Sequence, residues 1–383
     1  MHDMMLDTAG RTGFEESHAI FRDSVRRFMN KELVPNIARF EQEGTSDRSF
    51  WLKAGEAGLL CPQVDEEFGG PGLDFRFNAV VAEELAYAGS QIALGVHSDI
   101  TPDYLLEWGT SEQKQAYLPR VVSGECISAI VMTEPGGGSD LARLRTSARR
   151  DGERFVVNGA KTFISNGQNA DLLVTAVRTG GNGAKGISLL LIDADLPGVT
   201  RGRNLDKIGQ HSSDTSELFF EDVEVPADRL LGAEGHGFAY MMQRLPQERL
   251  SIAISAQAMA QRAFDEALAY TKSRNAFGKA VFDFQNTRFS LADLATRLQI
   301  GWAHIDWTIG RLTKGTLTAA EASAAKLWHT ETLWTIVDAA LQLHGGAGYM
   351  NEYTIARLWR DARVLRIYGG TSEIMKEVIA RTL

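Results

Sequence analysis

Residues 247–383 contain no proline, whereas nine prolines are spread over the chain up to and including Pro246. Proline removes a backbone donor and collides with the preceding helical turn, so a stretch this long without it can hold uninterrupted helices. The apolar residues have the matching period. Leu291, Leu294, Leu298, Trp302, Ile305 and Ile309 step by three and four, and Ala320, Leu327, Trp334 and Leu341 step by seven. Each stripe covers about 20 residues, roughly 30 Å of helix. Helices of that length must bury their apolar faces against one another, which predicts a bundle with the Trp and Phe side chains of the stripes in its core.

Upstream the pattern changes twice. From Phe14 to about Leu118 it is helical, with Phe21, Val25 and Phe28 on one face, Val80, Val81 and Leu85 in another run, and the turn-rich EEFGGPG (66–72) between them. Near residue 126 the runs turn β-branched and aromatic, as in ISAIVM, RFVVNG, DLLVTAV, GISLLLID and SELFFEDVEV, which predicts an antiparallel sheet or small barrel. We therefore expect three domains: helical over 1–125, β over 126–232, and a helical bundle over 233–383. A chain of 383 residues is long enough for each to have a core.

Composition removes several function classes. The net charge of −9 gives no bulk attraction to a phosphate backbone, so nucleic acid is not an expected partner. No uncharged apolar run approaches the roughly 20 residues of a membrane helix, and the start MHDMMLDTAGRTGFEES lacks the basic-then-apolar layout of a signal peptide. The expected location is the bacterial cytoplasm, with a processed mitochondrial matrix form as the alternative. Cys61 and Cys126 form no C-x-x-C pair, and the eight histidines show no ligand spacing, so no metal is expected. The one G-x-G-x-x-G string, GNGAKG (181–186), leads into the strand-like GISLLLID rather than opening a helix, and G-x-x-x-x-G-K-[ST] does not occur. A nucleotide cofactor would need a different cradle.

Several glycine-rich segments offer one. MTEPGGGSD (132–140) follows a strand, and its three glycines leave backbone N–H groups open to a planar ring or a diphosphate, although alone it reads as a strand connection. In KTFISNG (161–167), Phe163 and Ser165 share a face if the strand is regular. SRNAFGK (273–279) places Arg274 where a long helix ends, with Gly278 as the helix-ending glycine. LQLHGGAGYMNEY (341–353) ends another helix on two glycines. IYGGTSEIM (367–375) sets Gly369 and Gly370 before a new apolar-periodic run. A helix N-terminus after bare backbone favours an anion.

The order and spacing of these segments, with the helix–sheet–helix layout, resemble the acyl-CoA dehydrogenase family along essentially the whole chain. TEPGGGSD and the HGGAGY and IYGGTSEI pair are its most specific parts. The resemblance implies a mainly α protein with a middle antiparallel β-barrel-like domain and a C-terminal four-helix bundle. It also implies FAD, a homotetramer, removal of two hydrogens from the α and β carbons of an acyl-CoA thioester, and electron-transfer flavoprotein as acceptor. Carried over by position, Thr133 and Ser139 line the flavin and the thioester end of the pocket. Phe163 packs on the flavin where relatives more often have tryptophan, and Ser165 stands where threonine commonly bonds the ring nitrogen. Arg274, Phe277, Gln285 and the stretch Gln342 to Gly346, including Gly345, match positions that contact the FAD of a neighbouring subunit, while Thr371 and Glu373 match others at the diphosphate. Tyr368 and Gly370 flank the substrate.

One departure concerns the base. Many relatives carry a glutamate directly after the tyrosine of the last segment, where this chain has Gly369. The resemblance to the long-chain and isovaleryl subset supplies another carboxylate, Glu248 in RLPQERL (244–250), expected near the start of the first bundle helix. Arg249 beside it then faces the CoA side or forms a surface ion pair. Gly369 would leave room for that carboxylate and offer its N–H to the thioester oxygen. Medium or long straight acyl chains are expected, with short branched ones second. A flavin oxidase or monooxygenase on the same fold, or a non-catalytic scaffold, are the alternatives.

Overall fold

The structure, a computed structural model, describes residues 10–383. Six helices come first: α1 (Glu16–Phe28), α2 (Ile37–Glu43), α3 (Arg48–Glu56), α4 (Phe75–Tyr87), α5 (Thr101–Trp108) and α6 (Ser111–Val122). Eight strands follow: β1 (Ser128–Val131), β2 (Ser147–Asp151), β3 (Arg154–Ser165), β4 (Leu172–Arg178), β5 (Ile187–Asp193), β6 (Val199–Asn204), β7 (Thr215–Pro226) and β8 (Leu230–Leu231). The long helices α7 (Gly237–Ser273), α8 (Gln285–Thr313) and α9 (Ala319–His344) are completed by α10 (Thr354–Ala362) and α11 (Ser372–Ala380), with a hairpin of β9 (Asn275–Ala276) and β10 (Lys279–Ala280) after α7. The protein is mainly helical around a central β domain, as expected. Among the described residues no helix is long and apolar enough to cross a membrane.

The sheet runs β6-β7-β3-β2-β4-β5-β8. It is mixed rather than wholly antiparallel: β1 and β2 share one edge of β4, and both run parallel to it. Short strand runs do not reveal partner direction, so the sequence could not separate the two cases. Alternation along β4 divides the core. Leu172, Val174 and Ala176 pack with the first helices, while Leu173 and Val177 join Phe155, Val157, Leu218 and Phe220 inside the curl of the sheet. Helix α4 joins the two helical parts, with Val80, Val81 and Leu85 in the first core and Ala79 and Ala86 against α7 and its neighbours.

The stripe on α8 from Leu291 to Ile309 is buried throughout. That on α9 is offset. Its fully buried face is Ala322, Ala325, His329, Leu333, Ile336, Val337 and Ala340, whereas Ala320, Leu327, Trp334 and Leu341 are only half-buried at its margin. Alanine, serine and threonine make up about half of the buried side, with Lys326 buried among them, so the stripe stepping by seven marked its margin instead. Of the tryptophans on the two stripes, Trp302 is buried and Trp334 half-buried, while off the stripes Phe289 is 61% and Trp307 49% exposed on α8. Helix α7 tolerates Pro246 in its interior. The proline-free stretch therefore starts inside this helix rather than before it, and Glu248 lies three turns in.

Candidate active site

The segment after α10 makes the sharpest turn near α7. Gly369 has φ +65° and Gly370 φ +100°, a left-handed conformation that costs an L-residue about 1 kcal/mol and costs glycine nothing. The turn is pinned from below by two buried cations. Arg249 donates Nε to the Gly369 carbonyl at 3.3 Å and a terminal nitrogen to Ser323 Oγ at 3.1 Å. Lys326 donates Nζ to the Gly370 carbonyl at 2.5 Å. With both carbonyls held, the N–H groups of Gly369 and Gly370 donate to no partner among the described residues. Helix α11 starts just beyond, capped by Thr371, whose Oγ1 accepts from the Ile374 N–H.

Arg249 is thus excluded from one of its two expected places. It is 6% exposed and bonded to the chain's own glycine turn, so it forms no surface ion pair. Lys326 and Ser323 escaped the sequence reading, although a lysine one turn after Ser323 in the otherwise small-residue AAEASAAKLWH was a usable signal.

Gly369 lies against Ile252: a Cβ built on it would come within 2.4 Å of Ile252 Cδ1. Ile252 is four residues after Glu248, and such pairs share a helix face with Cβ atoms about 5–6 Å apart. Glu248 therefore lies on the same face of α7 as Ile252, against which the glycine turn rests. Glu248 is deep in the protein yet half-buried rather than sealed. Burial pushes its carboxyl up to about 7, against the Tyr104 hydroxyl bond and the charges of Arg244 and Arg249, which favour the ionised form. Tyr104 donates to Glu248 Oε1 at 3.1 Å. Tyr104 lies 144 residues away, and nothing in TPDYLLEW marked it.

The β domain contributes an open surface. In 132–140 the chain closes a tight turn, with Glu134 and Gly137 exchanging N–H···O bonds of 3.1 and 3.0 Å. Beneath it the fully buried Lys161 bonds Glu134 Oε1 at 2.9 Å and the Met132 carbonyl at 3.0 Å, and Glu134 accepts from the N–H groups of Arg145 and Thr146. The loop is thus rigid from below and bare above, with Thr133 half-buried and Ser139 exposed. Phe163 is 68% exposed at φ +58°, where the register slips between Lys161 and Ile164. A bulky residue in that conformation stores strain, and such strain collects at ligand sites. The bulge also breaks the regular alternation on which the shared face of Phe163 and Ser165 was argued. Ile164 is buried in the sheet core, while Phe163 is open and Ser165 half-buried.

The remaining expected residues form a second group. Gly278 does not end α7, which stops at Ser273. With Phe277 at φ +51° and Gly278 at φ +81° it makes the two-residue turn of the β9–β10 hairpin, which needs both residues left-handed. Phe277 is 96% exposed, and Arg274 and Gln285 are exposed beside the same hairpin. Tyr270 stacks on His344 at 4.4 Å, which brings this end of α7 to the exposed Gln342, Gly345 and Gly346. Lys326, next to Gly370, and His344 are separated along α9 by about 27 Å. Within one chain the Arg274 group and the Thr371 and Glu373 group cannot serve the same diphosphate.

Profiles of three consecutive acyl-CoA dehydrogenase domains match this chain, the N-terminal domain over residues 15–125, the middle domain over 129–223 and the C-terminal domain over 235–383. The chain belongs to the acyl-CoA dehydrogenase family. It is an oxidoreductase of that family, whose members use FAD. The mitochondrial long-chain specific acyl-CoA dehydrogenase of Sus scrofa is 44% identical, over 99% of this chain and 89% of the relative. Among solved structures, an acyl-CoA dehydrogenase from Geobacillus kaustophilus is 48% identical with a TM-score of 0.96, covering 97% of this chain and 99% of its own. An acyl-CoA dehydrogenase from Bacillus anthracis, solved as a complex with FAD, is 30% identical with a TM-score of 0.92, covering 99% of this chain and 68% of its own.

Proposed function

We propose that this acyl-CoA dehydrogenase binds FAD and converts an acyl-CoA thioester to the trans-2-enoyl-CoA, with Glu248 as the base and Gly369 as the hydrogen-bond donor to the thioester oxygen. The observation that carries this is the packing of Gly369, N–H unoccupied, on the α7 face one turn from Glu248. The bare 135–139 loop, the strained and exposed Phe163 and the start of α11 suit a ring and a diphosphate, so the residues present fit FAD. Thr133, Ser139, Phe163 and Ser165 would hold the ring and the thioester end, Thr371 and Glu373 the diphosphate, and Tyr368 and Gly370 the substrate. FAD, when bound, supplies the acceptor for the hydride that leaves the β carbon.

The chain's own part is proton transfer and polarisation. The Gly369 N–H stabilises the charge that develops on the thioester oxygen as the α proton departs. Glu248 takes that proton, and a carboxyl already raised to about 7 is matched to this work near neutral pH. Arg249 and Lys326 hold the two carbonyls of the turn, which leaves its N–H groups free to donate to the substrate.

Electron-transfer flavoprotein is the proposed acceptor, and medium or long straight-chain acyl-CoA the proposed substrate, as in the long-chain relative. A homotetramer is proposed because Arg274, Phe277, Gln285 and Gln342 to Gly346 are exposed about 27 Å from the turn, where only another copy's cofactor could use them. We place the domain divisions at 125/126 and 232/233 and the protein in the bacterial cytoplasm. Glu248→Gln is expected to purify yellow, to bind acyl-CoA and to fail to bleach anaerobically. Full bleaching by that variant overturns the base. A panel of acyl-CoA esters fixes chain length, and fast reoxidation by air with peroxide release would select an oxidase instead.

A further inference from the structure

Tyr104 lies in the fourth position of α5, with its side chain fully buried. Its ring packs 5.5 Å from Trp108, which stacks at 4.2 Å on Tyr240 of α7. The phenol is therefore fixed between the two helices it joins. Its hydroxyl donates to Glu248 Oε1 at 3.1 Å, and no other group among the described residues hydrogen-bonds that carboxylate.

The charged neighbours are committed elsewhere. On α7, Arg244 pairs with Asp103 and donates to Gln247 at 2.7 Å, and Arg249 holds the Gly369 carbonyl and Ser323. On α5, Asp103 and Glu107 face Arg244, the latter at 3.8 Å. Asp99, on the turn before α5, accepts from Asn78. On α9, Lys326 is held by the Gly370 carbonyl, and Tyr368, before the glycine turn, lies against Gln210 at 3.5 Å. Among the described residues the phenol makes the one hydrogen bond to Glu248.

We propose that Tyr104 is the positioning residue of the base, fixing Oε1 so that Oε2 is the atom presented to the substrate α proton. This rests on the reading of Glu248 given above. A proton arriving on Oε2 leaves the Tyr104 bond intact, so the residue can hold one carboxyl orientation before and after transfer. Tyr104 itself does not titrate: burial first, and then the Glu248 carboxylate, push its hydroxyl well above the usual tyrosine range. A donor bonded to the carboxylate favours the charged form, so the phenol keeps Glu248 a stronger acid than burial alone would leave it.

The test is the pH profile of kcat/KM in the FAD-loaded enzyme, taken with the acyl-CoA ester that reduces the wild type fastest. Tyr104→Phe is expected to move the acidic limb up by roughly one pH unit. The rate then falls about tenfold at pH 6, and the loss all but vanishes at pH 9. Replacing Tyr104 with 3,5-difluorotyrosine, a stronger donor of nearly the same shape, should move the limb the other way. An infrared titration of the protonated-carboxyl stretch that disappears in Glu248→Gln should follow the same order, without substrate. If Glu248→Gln keeps the wild-type rate, the base reading has failed and this proposal with it. If that variant is dead but the Tyr104→Phe limb does not move, or its rate falls equally at every pH, the positioning role alone is overturned.

Discussion

Replacing Glu248 by Gln should stabilise the protein while removing its activity, and the two effects should separate by pH. Burial raises the Glu248 carboxyl from 4.5 to about 7, a rise of about 2.5 units. The folded state therefore binds the proton more tightly than the unfolded chain does. Stability from this group is full below pH 4.5, falls as pH rises through 4.5 to 7, and stays reduced above 7. The ceiling on that loss is about 3 kcal/mol at 1.36 kcal/mol per unit. Glu248 is only half-buried, so solvent screens part of this and about 1–2 kcal/mol is the working figure. Glutamine keeps the shape and an acceptor for Tyr104 but has no charge to desolvate. The assay is thermal unfolding of both FAD-loaded proteins at pH 5 and pH 8. Glu248→Gln should gain a few degrees in Tm over the wild type at pH 8 and clearly less at pH 5. An equal gap at both pH values, or a variant less stable at pH 8, would show that the carboxylate is not desolvated, and the assignment of the base would lose its physical ground.

Gly369→Ala should lower Tm, through about 1 kcal/mol of left-handed strain and a Cβ placed 2.4 Å from Ile252 Cδ1. Adding Ile252→Val removes that terminal carbon and should recover part of the loss. No recovery would mean that the two residues are not in contact. Phe163→Gly should relieve the φ +58° strain and stabilise the FAD-free protein by about 0.5–1 kcal/mol, while weakening FAD binding. Calorimetry of the apoprotein and a flavin titration read the two effects, and tighter FAD binding by the variant would remove Phe163 from the site.

The sequence by itself determined which segments are helix and which are strand, because those follow from local period and from where proline and glycine stand. It also marked the bare backbone at 136–138, 345–346 and 369–370, since glycine is local information. The family pattern added Glu248, by noticing that Gly369 stood where a carboxylate was missing. Tertiary structure decided what these residues face. Tyr104 and Glu248 are 144 residues apart, and Lys326 and Gly370 are 44 apart, and no local pattern relates residues at such separations. Arg249 is bonded to the glycine turn rather than to a surface acid because that turn folds back onto α7, and Gly278 became a hairpin turn because α7 stops five residues earlier. A helix face is written in the spacing of its residues. What that face meets depends on how distant segments close on it, and the acidity of Glu248, the hold on the Gly369 carbonyl and the strain at Phe163 all arise only from that closure.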